Sequence, residues 1–198
     1  MGLDKSKLAW LIPGIIVFIS VLIGLGGDLA REALRYDRVW LGQGELWRML
    51  SGHFSHLSWS QLLLNSAGLL LVWFLVGKTY SATSWLLVIV CSLLTIDMAF
   101  WFINPDLYWY VGMSGLLHGI LTAAIVGRWR WQPIDPEMLV LLVLVVAKIS
   151  WEQYAGPVSG SEATSGGLVV VDAHLYGAIG GILAALMIKI RVKASAAI

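Results

Sequence analysis

The chain has 198 residues, 59% of them hydrophobic and 13% charged, with a formal net charge of +1 and a mean hydropathy of +0.81. A soluble domain of this length cannot hide that much apolar surface, so lipid is the solvent for most of it. The basic residues are scattered in ones and twos, which excludes a nucleic-acid-binding surface.

The first predicted element is an apolar helix over 8–27, preceded by Met1-Gly2-Leu3-Asp4-Lys5-Ser6-Lys7. It is too long for a signal-peptide core and lacks a clear small-residue cleavage site, so it reads as a membrane helix. A long first loop follows, 28–58, which mixes Leu34, Trp40, Leu41, Leu46, Trp47, Met49 and Leu50 with charges. Such a segment either lies in the membrane interface with its apolar face in lipid or is a solvated loop. Apolar runs at 59–76, 85–103, 111–126, 138–154 and 171–190 predict five further spans. Each of the six spans has about 16–20 residues, enough to cross a core of about 30 Å. The expectation is an all-α membrane protein: one domain over 1–198, a six-transmembrane-helix bundle with a long interfacial first external loop. Eleven tryptophans suit interfacial belts, and the single cysteine, Cys91, rules out an intrachain disulfide.

Positive charge predicts the orientation. With the N-terminus in the cytoplasm, the inner segments hold Lys5, Lys7, Lys78, Arg128, Arg130, Lys189, Arg191 and Lys193. The outer side holds Arg31, Arg35, Arg38 and Arg48, all in the first loop. The bias places both termini inside.

Chemistry-bearing residues gather near the outer ends of three spans. Ser114 lies in Gly112-Met113-Ser114-Gly115, about one turn into the fourth span, and His174 lies at a similar depth in the sixth. The sixth span repeats small residues every four positions at Ala173, Gly177, Gly181 and Ala185; the fourth offers Gly115 and Gly119. Such ridges let helix backbones approach closely, either for packing alone or to bring a serine, whose reach is one carbon, against a histidine. A serine hydroxyl becomes a nucleophile when a neutral imidazole takes its proton. The oxyanion it generates needs donors, for which the Ser114 backbone N–H and the amide of Asn65 are candidates. Asn65 sits in the outer half of the second span, where an amide is costly unless it pairs with another helix or serves a site.

In this order and on these spans the motifs resemble those of rhomboid intramembrane serine proteases, from Glu45 to about Ala185. Glu45-Leu46-Trp47-Arg48 is similar to the family's Trp-Arg element, where the glutamate and arginine belong to a structural network. His56 through Asn65 resembles the entry to the second span, which implies Asn65 as the oxyanion asparagine. Gly112-Met113-Ser114-Gly115 resembles Gly-x-Ser-Gly, which implies Ser114 as nucleophile, and Ala173-His174 with Gly177 and Gly181 resembles the element that supplies the base, His174. The compact body and Ser114-Gly115-Leu116-Leu117-His118-Gly119 look most like the rhombosortase branch. That resemblance implies a bacterial inner membrane, a site opening to the periplasmic side, and exported substrates anchored by a C-terminal Gly-Gly, apolar span and basic cluster.

Two positions depart from the family pattern. Gln61 stands where a second oxyanion histidine is common, and its amide can still donate. His118 stands where a tyrosine commonly stacks on the base, so it is either a stacking partner of His174 or the base itself. The alternative to a protease is an inactive rhomboid-like protein that binds client transmembrane helices. A transporter is disfavoured because the chain lacks internal repeats. Asp172, two residues from His174, points to another helix face and is expected to meet water. His53 and His56 lack a metal-ligand pattern, so no metal or other cofactor is expected. Asp97 and Lys148 lie within spans and need partners, either each other or, for Lys148, Glu152 one turn on.

Overall fold

A computed structural model describes residues 5–131, 133 and 135–188. In chain order the elements are α1 (Lys5–Leu25), α2 (Gly27–Leu34), β1 (Tyr36–Asp37), α3 (Arg38–Gly42), α4 (Arg48–Ser51), a 3-10 turn (Gly52–Phe54), α5 (Trp59–Val76), α6 (Ala82–Phe102), β2 (Trp109–Tyr110), α7 (Ser114–Trp131), α8 (Pro136–Ala155), α9 (Ser161–Ser165) and α10 (Asp172–Met187). Lys189, Arg191, Lys193 and the last two residues of the predicted sixth span lie outside the described residues.

Among the described residues, four helices are long and apolar enough to cross a membrane: Leu8–Leu25, Trp59–Val76, Ala82–Phe102 and Pro136–Ala155. The protein is therefore a multi-pass membrane protein. The other two predicted spans differ for identifiable reasons. α10 is a shorter apolar helix of 16 residues, and α7 carries Arg128 and Arg130 in its last turn.

Local chemistry sets the helix starts. Ser58 and Ser81 accept the backbone N–H groups of Gln61 and Ser84, and Asp135 accepts that of Met138 ahead of Pro136. These are N-caps that satisfy otherwise orphaned donors. α7 begins at Ser114 and not at 111, because Gly112 takes φ +118, a backbone no helix accommodates. Ser114 is thus the first residue of its helix, not one turn inside it. At the opposite end α7 runs five residues beyond the predicted boundary, to Trp131. There Arg130 donates to the Ala185 and Ile188 carbonyls at the C-terminus of α10, and Arg128 pairs with Asp135 at 2.9 Å. Cations at a helix C-terminus satisfy its free carbonyls and oppose its dipole.

α10 lies between α7 and α6. A Cβ on Gly177 would overlap the Gly115 carbonyl, and one on Gly181 would overlap that of Gly119. On the other side, a Cβ on Gly180 would come within 2.7 Å of the Cys91 carbonyl oxygen and the Ser92 Cα. Three glycines therefore let one short helix touch two neighbours at backbone distance. Lipid supplies no hydrophobic force between helices, so such van der Waals contact carries the association. Trp73, Trp85, Leu69, Phe100, Ile96 and Leu116 fill the rest of the interior. The outer faces of α1, α5 and α8 expose large apolar side chains such as Phe18, Phe74 and Leu144, which suits lipid.

The first loop is folded into short helices and pinned to the bundle. β1 pairs with β2 (Tyr36 with Tyr110, Asp37 with Trp109), and the Gly112 N–H donates to the Gly52 carbonyl at 3.2 Å. Its four arginines act as struts. Arg31 donates to the Leu57 carbonyl. Arg35 pairs with Asp37. Arg38 donates to the Phe100 and Trp101 carbonyls near the end of α6. Arg48 pairs with Glu45 at 2.6 Å and donates to the Glu32 and Arg35 carbonyls. Each of the four is thus engaged by the loop itself or by α6. Trp47 is exposed, and its backbone carbonyl accepts the Ser51 hydroxyl.

Candidate active site

The site forms where the N-terminal ends of α5, α7 and α10 meet the C-terminal end of α8. Ser114 Oγ lies 2.9 Å from His174 Nε2, across the α7–α10 contact. The reach fits the glycine packing one turn below, since any Cβ at Gly177 would push the two helices apart. His174 is buried, and its other ring nitrogen, Nδ1, lies 2.7 Å from Glu152 Oε2. Glu152, also buried, takes the Lys148 ammonium on Oε1 at 2.6 Å. Lys148 Nζ is 3.3 Å from the same Nδ1.

His118 lies flat on His174, with centroids 4.3 Å apart and planes 21° apart. Its Nδ1–H donates to the Ser114 carbonyl at 2.7 Å. Of the two roles open from the sequence, the ring occupies the stacking position. The ring nitrogen that meets the Ser114 hydroxyl belongs to His174.

Gln61 and Asn65 face Gly112, two residues ahead of Ser114. A Cβ on Gly112 would sit 3.0 Å from Gln61 Nε2 and 3.8 Å from Asn65 Nδ2, so the missing side chain leaves a hollow rimmed by two amides. Gln61 Oε1 accepts the Leu57 N–H at 2.7 Å, which turns its NH2 group toward Gly112. Asn65 Nδ2 is buried and has no hydrogen-bond partner among the described residues. Of the two roles open to Asn65, a site donor or a helix–helix hydrogen bond, the second is not formed through this nitrogen among the described residues. A buried amide donor of this kind can take the charge of an oxyanion. The first N–H groups of α7 lack intrahelical acceptors by geometry.

The turn ahead of Ser114 is fixed from both sides. Besides the Gly52–Gly112 bond, Tyr110 donates its hydroxyl to the Gly112 carbonyl at 2.6 Å. Burial, with the nearby Asp97 carboxylate, pushes the Tyr110 hydroxyl above its ordinary range, so it remains a neutral donor. Asp97 finds its partner in His53, at 3.2 Å and fully enclosed, not in Lys148. His53 packs edge-on against Tyr110, with centroids 5.4 Å apart. His56 donates from Nδ1 to the Phe54 carbonyl at 3.1 Å, and burial pushes its pKa down to about 4. Asp172 does not simply meet water: it accepts from Asn104 at 2.8 Å and from Gln153 at 3.3 Å, tying the N-terminal end of α10 and the C-terminal end of α8 to the 103–108 connection.

Glu152 was legible only as a partner for Lys148. An ionisable residue in the last turn of an apolar span is by default a functional candidate, but nothing in the sequence aims it at His174, twenty-two positions away. His118, Glu152 and His174 also bring ligand-type atoms within 4.8 Å of one another. The stacked rings send their in-plane lone pairs in parallel planes, and His174 has both nitrogens in hydrogen bonds. The set therefore suits proton transfer better than metal ligation.

Residues 43–191 match the Rhomboid domain family. No curated protein matches the chain. Rhomboid domains are typically those of intramembrane serine proteases. With the matched stretch covering most of its length and holding every residue of the site, the chain belongs to the rhomboid family.

Proposed function

We propose that this protein is an intramembrane serine endopeptidase with Ser114 as nucleophile and His174 as general base. The observation that carries the reading is the 2.9 Å contact between Ser114 Oγ and His174 Nε2, with an Asn65 amide that has no partner among the described residues facing Gly112 of the same turn. His174 Nε2 takes the hydroxyl proton as Oγ attacks the scissile carbonyl. The tetrahedral oxyanion is held by the Ser114 N–H, Asn65 Nδ2 and Gln61 Nε2. The imidazolium returns its proton to the departing amine, leaving an acyl-Ser114 ester. Water, deprotonated by His174, then hydrolyses the ester and regenerates the hydroxyl. A transmembrane substrate must unwind at the cut, because helical carbonyls are already bonded within their helix.

The substrates proposed are exported proteins with a C-terminal Gly-Gly, apolar span and basic cluster, as in rhombosortases. The setting is the bacterial inner membrane, with six spans, both termini cytoplasmic and the site open to the periplasm. Support comes from the alternation of the helices, which puts Ser114, His174, Asn65 and Glu152 at one end, opposite Lys78, Arg128 and Arg130. The exposed apolar residues Leu29, Trp40, Leu46, Trp47 and Leu50 support an interfacial first loop.

The test is cleavage of a tagged membrane protein bearing such a tail, by wild type, Ser114→Ala and His174→Ala. Loss in both variants by about 10⁴-fold or more, with the folded state retained, is expected. Capture of the tailed protein without any Ser114-dependent cleavage would instead establish the inactive client-binding reading.

A further inference from the structure

The dyad leaves one charge cluster unused, buried at Glu152 and partly exposed at Lys148. Glu152 and Lys148 come from α8, whose membrane-spanning stretch is the least enclosed of the four, yet both reach His174 Nδ1. A histidine nitrogen either donates or accepts, and these two neighbours make opposite demands on it. A carboxylate only accepts, so Glu152 calls for a proton on Nδ1 and leaves Nε2 free to accept from Ser114. An ammonium only donates, so Lys148 calls for a bare Nδ1, puts the proton on Nε2 and turns a donor toward the serine. The first tautomer is a base; the second is not.

We propose that Glu152 is a positioning residue that extends the pair into a Ser114–His174–Glu152 relay, and that Lys148 is held off Nδ1 because Glu152 gives it a second oxygen. The proposal rests on the reading of Ser114 and His174 as nucleophile and base. The distances favour it: Glu152 Oε2 is at 2.7 Å from Nδ1 and Lys148 Nζ at 3.3 Å, while Lys148 is engaged by Oε1 at 2.6 Å. The carboxylate bridges the two cation-forming groups, one oxygen each. When His174 takes the serine proton, the new imidazolium faces Glu152 on its edge, His118 on its ring face and Lys148 at its corner. The Glu152 charge offsets the repulsion that Lys148 would otherwise exert. Asp172, the other acid nearby in sequence, is committed to Asn104 and Gln153.

This geometry makes a specific demand on variants. In Glu152→Gln the Lys148 ammonium takes the amide oxygen, which leaves the NH2 group facing Nδ1 and selects the inactive tautomer. Removing the ammonium as well, in Lys148→Met/Glu152→Gln, frees the amide to rotate and offer its oxygen to Nδ1–H. The second substitution should therefore restore activity lost to the first, an order that a merely structural ion pair does not produce.

The experiment uses the full chain in proteoliposomes with a fluorophosphonate probe, together with ¹⁵N-imidazole spectra of His174 in detergent micelles. Expected are Ser114-dependent labelling of wild type and a drop of about 10³-fold or more in Glu152→Gln. The drop falls on the maximal rate and not on the probe concentration at half-saturation. The double variant recovers at least about tenfold of the loss. The spectra show Nδ1–H in wild type and Nε2–H in Glu152→Gln. Labelling of Glu152→Gln at the wild-type rate overturns the proposal, and so does a double variant slower than the single. The wild-type spectrum decides even if Glu152→Gln fails to fold, since Nε2–H there overturns the proposal directly. Absence of Ser114-dependent labelling in wild type overturns the protease reading itself and the proposal with it. The dyad survives alone if labelling depends on Ser114 and His174 but ignores Glu152.

Discussion

Gly177 on α10 lies so close to Gly115 on α7 that its missing Cβ is the space occupied by the Gly115 carbonyl oxygen. Toward the N-terminal ends of the same two helices, Ser114 and His174 hydrogen-bond at 2.9 Å. The first relationship sets the second, because a serine side chain has no length with which to follow a retreating partner. Gly177→Ala is therefore expected to lower stability by about 1–3 kcal/mol and to cut the cleavage rate by roughly 10²-fold through misplacement alone. Thermal unfolding and cleavage measured on the same preparation check this. Wild-type activity with a destabilised fold would uncouple the two contacts.

Asn65 and Gln61 separate catalysis from structure. Asn65 Nδ2 has no partner among the described residues, so Asn65→Ala should reduce kcat by about 10²–10³-fold without breaking a hydrogen bond that holds the fold. Gln61→Ala removes both an amide facing Gly112 and the acceptor of the Leu57 N–H, so it should lower kcat and stability together. Melting curves and single-turnover cleavage distinguish the two patterns; equal stability losses would refute the assignment of Asn65 to the oxyanion.

Arg48 is buried and holds Glu45 and two backbone carbonyls at once. Arg48→Ala strands these acceptors and should destabilise by roughly 3–5 kcal/mol. Arg48→Lys should recover only part of that, because an ammonium lacks the planar fork that spans all three acceptors. Unfolding in detergent titrated with a denaturing surfactant measures both.

The pKa of His56 is pushed down by burial to about 4, against an ordinary 6.5. The folded protein thus binds fewer protons there than the unfolded chain. The stability that follows is present in full above about pH 6.5 and is lost as pH falls from there through about pH 4. His56→Gln should remove this part of the acid sensitivity, so the difference in melting temperature between wild type and variant should narrow between pH 7 and pH 4. A constant difference across that window would show that His56 does not titrate as stated.

Much of the site was readable because its chemistry is local in sequence. Gly112 through Gly115, the glycine spacing of α10, and Asn65 one helical turn beyond Gln61 are short-range patterns whose meaning depends on helical periodicity. Span boundaries were less legible. The helical start at Ser114 depends on a positive φ at Gly112 that the Gly52 carbonyl and Tyr110 hydroxyl hold in place. The extension to Trp131 depends on carbonyls at the far end of α10 that receive Arg130. The first loop was ambiguous for the same reason: its arginines have partners in α6 and in the loop's own return, none of which a local reading identifies.

What the sequence determined by itself is everything that follows from solvent and period: a lipid-embedded helical body, a serine and a histidine at one depth, and small residues aligned to let their helices meet. Tertiary structure decided which groups complete the site. Glu152 and Lys148 come to His174 from a third helix, and Asp97 takes His53 from the first loop. An ion pair or tautomer is fixed over about 3 Å, whereas chain order constrains separation only along the backbone. Helices far apart in sequence must pack before their polar groups can choose one another.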